Sequence, residues 1–124
     1  YSATGKKAIL VSIHCNAAGS GDSWMKAKGW SVFVSNNASG NSKKLADCLA
    51  QAAECIPVSV RKPMPGQLYW QQNLAICRDS NCPAILTENF FQDNKDDVEY
   101  LLSREGKDAV ARIHIEGVAK YLGL

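Results

Sequence analysis

The sequence predicts an α/β domain: a mostly parallel central sheet flanked by helices. Two runs, residues 8–13 (Ala-Ile-Leu-Val-Ser-Ile) and 84–88 (Ala-Ile-Leu-Thr-Glu), are almost continuously apolar or β-branched. Strands buried on both faces have this composition, as in a sheet covered by helices. Apolar residues at helical spacing recur elsewhere, and strands alternating with helices indicate a parallel arrangement. A sheet of this kind ordinarily opens with a strand and helix, whereas this chain starts almost at once on an interior-type strand. The expectation is therefore a single domain over residues 1–124 that lacks a first strand-helix portion.

The elements follow in order. After the first strand, residues 16–28 are rich in Gly, Ala and Ser and read as a loop. Residues 29–35 alternate around Trp30, Val32 and Val34, predicting a second strand. A helix follows with Leu45, Cys48, Leu49 and Ala52 on one face, Asn41 or Ser42 as its cap, and Pro57 as its end. Residues 58–70 contain Pro63, Pro65 and Gly66 and read mainly as loop, with a short strand at the start. Residues 74–78 suit a brief strand, and Pro83 introduces the second buried run. Residues 96–102 predict a short helix. Ser103 suits the cap of a last helix, in which Val110, Ile113, Gly117 and Tyr121 share a face.

Composition excludes several classes of function. Hydrophobic residues make up 46% and charged residues 21% of 124 residues, ordinary for one globular domain. A net charge of +2 is too small to argue for nucleic acid or membrane lipid as partner. No apolar run reaches the roughly 20 residues that span a bilayer, and residues 1–7 form no secretory signal. Of the five cysteines, Cys15, Cys48, Cys55 and Cys77 have apolar neighbours and read as small buried hydrophobes, while Cys82 sits in a loop. No CxxC pair is present, so free thiols are expected rather than a cysteine metal site.

Polar residues stand at the ends of both apolar strands. His14 and Asn16 follow Ile13, and Glu88 closes the second run. In open α/β sheets ligands bind beyond the carboxyl ends of the strands. If the two strands are parallel neighbours, His14 and Glu88 share a crevice, where an imidazole and a carboxylate suit metal binding or proton transfer. The alternative is that both merely cap strands and bond loop backbone. Trp24 lies in the loop after His14; it either contacts substrate or anchors the loop in a hydrophobic pocket. Trp30 reads as core. His114 reads as a surface or half-buried helical residue.

The segment Ser12-Ile13-His14-Cys15-Asn16-Ala17 resembles the SIHxNA signature of zinc-dependent N-acetylmuramoyl-L-alanine amidases, which cut peptides from the glycan of bacterial cell walls. Arg78, residues 83–91 and Asn94 resemble that family's R…PAvLvE.gF.sN segment. Residues 29–35, 42–49 and 111–121 match its intervening strand, its S..LA..l helix and its terminal helix, in order.

The resemblance implies that His14 is a zinc ligand and that Glu88 activates the attacking water and returns the proton to the leaving amine. It makes Arg78 and Asn94 loop-shaping residues, with Asn16, Trp24 and Arg78 as substrate-contact candidates. It also implies two further zinc ligands, a histidine and a glutamate, upstream of the SIHxN strand. None of the thirteen residues before His14 is His, Asp, Glu or Cys. The chain then holds one ligand of three, with the others expected from missing upstream sequence, and is expected to be inactive alone. The family's glycine after the catalytic glutamate is read here as Asn89, which tolerates left-handed backbone.

The implied substrate is peptidoglycan, acted on at the cell wall by a bacterial enzyme or a phage endolysin. An uncovered strand edge predicts a homodimer or swapped assembly. The competing reading is a non-catalytic amidase-like module that binds peptidoglycan or a partner without cutting it.

Overall fold

Four strands and four helices make up the chain in a computed structural model that describes residues 8–124. The expectation about a secretory signal in residues 1–7 lies outside the described residues. The strands are β1 (Leu10–Asn16), β2 (Trp30–Ser35), β3 (Trp70–Gln72) and β4 (Ala84–Phe91). The helices are α1 (Gly40–Glu54), α2 (Ala75–Arg78), α3 (Lys95–Leu102) and α4 (Arg104–Leu122). The sheet order is β1-β4-β2-β3. β1 pairs parallel with β4 and β2 parallel with β3, but β2 runs antiparallel to β4. The sheet is mostly parallel, as expected, with one antiparallel pairing at its centre.

Strand alternation divides the apolar residues between two faces. Trp30, Val32, Val34 and Ile85 point to one side, where they form the main core with Leu45, Leu49 and Ala53 of α1 and Ala109 and Ile113 of α4. Ala84, Leu86, Leu10 and Phe33 point to the other, where Cys77 of α2 packs with them. α1 and α4 approach closely because Gly117 has no side chain: a Cβ there would lie 2.6 Å from Leu49 Cγ and 2.8 Å from its Cα.

Local chemistry sets the element ends. Ser39, not Asn41 or Ser42, caps α1 by accepting from Ser42 N–H at 3.1 Å. The Ser42 hydroxyl is used elsewhere, accepting from Ala84 N–H at 3.0 Å and so joining α1 to the start of β4. Ser103 caps α4, and Gly123 ends it in the left-handed conformation. Two short segments differ from expectation. Residues 74–78 wind into α2, with Cys77 and Arg78 N–H bonding to Leu74 O, rather than extending. Trp70–Gln72, of which Trp70 closes the stretch read as loop, forms β3 along the edge of β2. Runs this short carry too little periodicity to separate helix from strand.

Candidate active site

The β1–β4 register places His14 directly beside Glu88. Glu88 shares its face of the sheet with Ala84 and Leu86, so both site side chains stand on the face opposite α1 and α4. On the other flank of Glu88, the antiparallel register sets Ser31 of β2. A polar row therefore crosses three strands at one level: His14, Glu88, Ser31. The His14 ring is exposed, and its Nε2 lies 2.8 Å from Ser12 Oγ two residues earlier on the same face.

Glu88 is half-buried, and its Oε2 is buried without a hydrogen-bond partner; so is Ser31 Oγ. Burial raises the Glu88 carboxyl above its ordinary range, and the nearby His14 partly offsets this. A carboxylate shielded from water and left unsatisfied is costly unless a ligand or reacting group uses it. Ser31 went unnoticed in the sequence because it reads as one small polar residue in an apolar strand.

The ladder is irregular just past this row. Between His14 and Asn16 the register shifts, so that β4 carries one extra residue opposite β1. The left-handed residue at this bulge is Phe90, with φ +68°, not Asn89. Glycine would suit that backbone; Phe90 is held there by burial and by an edge-on contact with Tyr100 at 5.2 Å between ring centres. Asn89 serves differently. Its Oδ1 accepts from the buried Trp30 indole N–H at 2.8 Å, which fixes the orientation of the amide. Its Nδ2 then donates to the His14 carbonyl and to Thr87 Oγ1, each at 3.0 Å.

Thr87 Oγ1 lies 2.9 Å from His114 Nε2, and His114 Nδ1 lies 2.7 Å from the Val110 carbonyl. A carbonyl only accepts, so Nδ1 carries the hydrogen. In the neutral ring Nε2 accepts from the Thr87 hydroxyl. Burial lowers the His114 pKa and favours that neutral form. A defined string thus runs from α4 through Thr87 and Asn89 to the backbone of His14. His114 is half-buried, as expected, and is committed to this string.

Carboxylates shape the loops beyond the strands. Asp93 accepts from Ala18 N–H at 2.9 Å and Gly19 N–H at 2.8 Å, which holds its carboxyl below the usual range. Asp97 is buried and accepts from Gly29 and Phe91 N–H, both at 2.9 Å. Asn94 caps α3, accepting from Asp97 N–H at 3.0 Å while donating to the Met25 carbonyl at 3.0 Å. The loop-shaping role inferred for Asn94 matches these contacts.

The other site candidates are placed as follows. Asn16 Oδ1 accepts from Ala17 N–H at 2.9 Å, and its carbonyl accepts from Gln92 N–H at 2.8 Å, so it joins the ends of β1 and β4. Trp24 is 60% exposed in the loop after β1. Arg78 is not brought to the row. It lines a cleft with Ser42, Cys82 and Pro83 at the opposite end of β4 and bonds to Asp79 at 2.9 Å and Asn73 at 2.9 Å. Glu88 lies five residue steps along the strand from Pro83, on the order of 16 Å. All five cysteines are free thiols; Cys48 and Cys77 are buried, but Cys15 and Cys55 are exposed, contrary to the reading of them as core. Cys15 faces water because its strand lies at the sheet edge, and Cys55 because it follows the last turn of α1.

Comparison with known proteins decides the family. Residues 1–120 match the sequence profile of the N-acetylmuramoyl-L-alanine amidases of the Amidase_3 type. The chain belongs to this amidase family. An endolysin of Bacillus phage SPP1 is 29% identical over 119 residues, covering 96% of this chain and 42% of that protein. An N-acetylmuramoyl-L-alanine amidase from Clostridium difficile 630 superimposes with a TM-score of 0.76 at 28% identity, over 93% of this chain and 57% of that one. The CwlD amidase of Clostridioides difficile, whose structure is a complex with the GerS lipoprotein, superimposes at 0.75 and 23% identity, which supports the fold alone. The amidase chain thus spans about half the length of these relatives (42% and 57%).

Amidases of this family are generally zinc-dependent. Among the described residues there is no group of three or more His, Cys, Asp or Glu side chains able to hold a metal. A zinc site needs three or four such ligands. His14 with Glu88 does not make one, so the described residues do not fit the ion by themselves. No helix among them is long and apolar enough to cross a membrane.

Proposed function

We propose that this chain is part of the catalytic domain of a peptidoglycan hydrolase that cleaves the amide between N-acetylmuramic acid and L-alanine at the bacterial cell wall. The observation that carries the reading is the Glu88 carboxylate, half-buried, raised in pKa, unpaired at Oε2 and registered against His14. A carboxylate tuned upward is suited to take a proton and return it within one catalytic cycle. Glu88 removes a proton from water as the water oxygen attacks the lactyl carbonyl. It then delivers that proton to the alanine nitrogen as the carbon–nitrogen bond breaks. Asn16 and Trp24 are the substrate-contact candidates at the same end of the strands. Arg78 is assigned to loop shape.

His14 is assigned as one ligand of a zinc ion whose remaining ligands come from outside the described residues. The 124-residue chain alone is therefore expected to be inactive. β1 has no partner on its outer side among the described residues, and Ile13 on it is 60% exposed. That edge supports self-association of the chain by strand pairing or exchange. Phage and bacterial settings are both compatible with the relatives.

The test sets this chain beside a longer form matching the relatives' length. Zinc content, zinc affinity and release of peptide from muropeptides are measured for both. The expected result is tight zinc binding and cleavage only in the longer form. There, Glu88→Gln should retain zinc and lose about 100-fold or more in rate, whereas His14→Ala should lose both. One equivalent of tightly bound zinc in the 124-residue chain would overturn the ligand assignment. A fully active Glu88→Gln enzyme would overturn the role of Glu88.

A further inference from the structure

Arg61 carries a charge that the fold holds in place and leaves unpaired. Lys28, Lys62, Arg78 and Arg112 each face a carboxylate, of Asp96, Glu54, Asp79 and Glu116 in turn. Arg61 is half-buried, yet among the described residues its guanidinium meets no carboxylate within ion-pair distance. The carboxylate built into the same corner is that of Asp97. It is buried, and its Oδ2 is taken by the Gly29 and Phe91 N–H groups.

The Arg61 side chain is held along its whole length. Its backbone N–H bonds the Trp30 carbonyl at 2.7 Å, and its own carbonyl accepts from the Trp70 indole N–H at 3.1 Å. Its aliphatic stem lies against Gly29, where a Cβ would sit 3.2 Å from Arg61 Cγ and 3.5 Å from Cδ. Gly29 has φ +114°, a backbone conformation that suits glycine, so the bed for the stem stays open. The guanidinium then lies over the buried Phe91 ring, 4.8 Å from its centre. Stacking uses the face of the cation and leaves the N–H donors at its edge free. A cation fixed in this way has already lost the side-chain entropy that capture of a ligand would otherwise cost.

Its place is beside the reacting row. Trp70, which holds the Arg61 carbonyl, stacks on Phe33 at 6.1 Å between ring centres, on the Glu88 face of the sheet. Gly29 precedes Ser31, the cross-strand neighbour of Glu88, by two residues. Two extended residues span roughly 7 Å. In a peptide, the carboxylate of the second residue lies about as far, roughly 7 Å, from the nitrogen of the first. An alanine nitrogen held at Glu88 therefore brings the carboxylate of the following residue to Arg61. We infer that Arg61 is a specificity-determining residue: its guanidinium selects a free carboxylate on the residue after L-alanine over the corresponding carboxamide. A carboxylate accepts a fork of two guanidinium N–H bonds, whereas a carboxamide offers one oxygen and turns its own N–H donors toward the cation. This rests on the reading of the chain as an amidase but is not implied by it, because the bond to be cut is the same in the acid and the amide.

The test uses the longer form and two soluble muropeptides, N-acetylmuramoyl-L-Ala-γ-D-Glu and its α-carboxamide. The expected result is a KM for the acid roughly tenfold or more below that for the amide, with similar kcat. Arg61→Gln should raise KM on the acid by the same factor and leave the amide unchanged, with an unaltered circular dichroism spectrum. Arg61→Lys should recover part of the preference. Equal KM values for the two substrates in the parent, or an Arg61→Gln variant that weakens both alike, overturns the assignment. Binding is read apart from turnover by titrating L-Ala-γ-D-Glu, and then its α-carboxamide, into the ¹⁵N-labelled longer form while the Arg61 Nε–H signal is followed. A saturable shift with the acid and none with the amide, in a protein that cleaves neither muropeptide, would sink the amidase reading and leave the carboxylate site standing. No shift with either peptide, as when an acidic side chain of the protein itself occupies Arg61, overturns the site.

Discussion

Asn89→Ala removes three hydrogen bonds from a side chain that is only 2% exposed. The indole N–H of Trp30, itself fully buried, is left without an acceptor. An orphaned donor of this kind costs about 1–3 kcal/mol. The lost bonds to Thr87 and the His14 carbonyl add roughly 1 kcal/mol each. The expected loss is about 3–5 kcal/mol, a large share of the roughly 5–15 kcal/mol that stabilises a domain. Urea unfolding followed by tryptophan fluorescence should show the midpoint falling with an unchanged denaturant slope. Asn89→Asp is the informative companion. It keeps the acceptor for Trp30 but sets a carboxylate oxygen against the His14 carbonyl, so it should be worse than Ala at neutral pH and recover in acid, where the protonated group donates. A loss below about 0.5 kcal/mol for Asn89→Ala, or an Asp variant as stable as the parent at pH 7, would refute the string as a structural element.

Three further perturbations are testable. Gly117→Ala should lower stability by about 1–2 kcal/mol: overpacking against the Leu49 backbone outweighs the gain in helix propensity. Gly106→Ala should be worse, since its Cβ would lie 1.8 Å from the Tyr100 carbonyl oxygen; thermal unfolding of both variants checks the order. His114 gives a pH dependence of defined sign. Its folded pKa lies below the ordinary 6.5, so the unfolded chain binds the extra proton first. The stability it contributes is complete above 6.5 and is lost as pH falls through the lower folded value. His114→Gln should flatten that part of the stability curve relative to the parent, and an unchanged slope would count against it.

Much of the site was legible in the residues alone. His14 and Glu88 each follow an apolar run, and that position puts a polar side chain towards the carboxyl end of a strand, although the strands themselves continue to Asn16 and Phe91. The long elements were equally readable, because α1 and α4 repeat their apolar residues over several turns and β1, β2 and β4 are β-branched and apolar. Asn94 could be assigned to loop shape through its motif. The string from His114 could not be read, since Thr87, Asn89 and His114 are separated by up to 27 residues and none is unusual locally.

By itself, then, the sequence determined the class of fold, the core faces of the long helices, the polar strand ends and the family. Those properties follow from local periodicity and short motifs, which any conformation of the neighbouring chain leaves intact. The tertiary structure alone decided that β2 runs antiparallel to β4 and that Ser31 completes a row with His14 and Glu88. It also moved the left-handed residue to Phe90, separated Arg78 from the row, and held Trp24 exposed. Each of these depends on pairing register or on contacts between residues distant in sequence. Such contacts are selected by the free energy of the whole packed domain, and no local pattern in the chain encodes them.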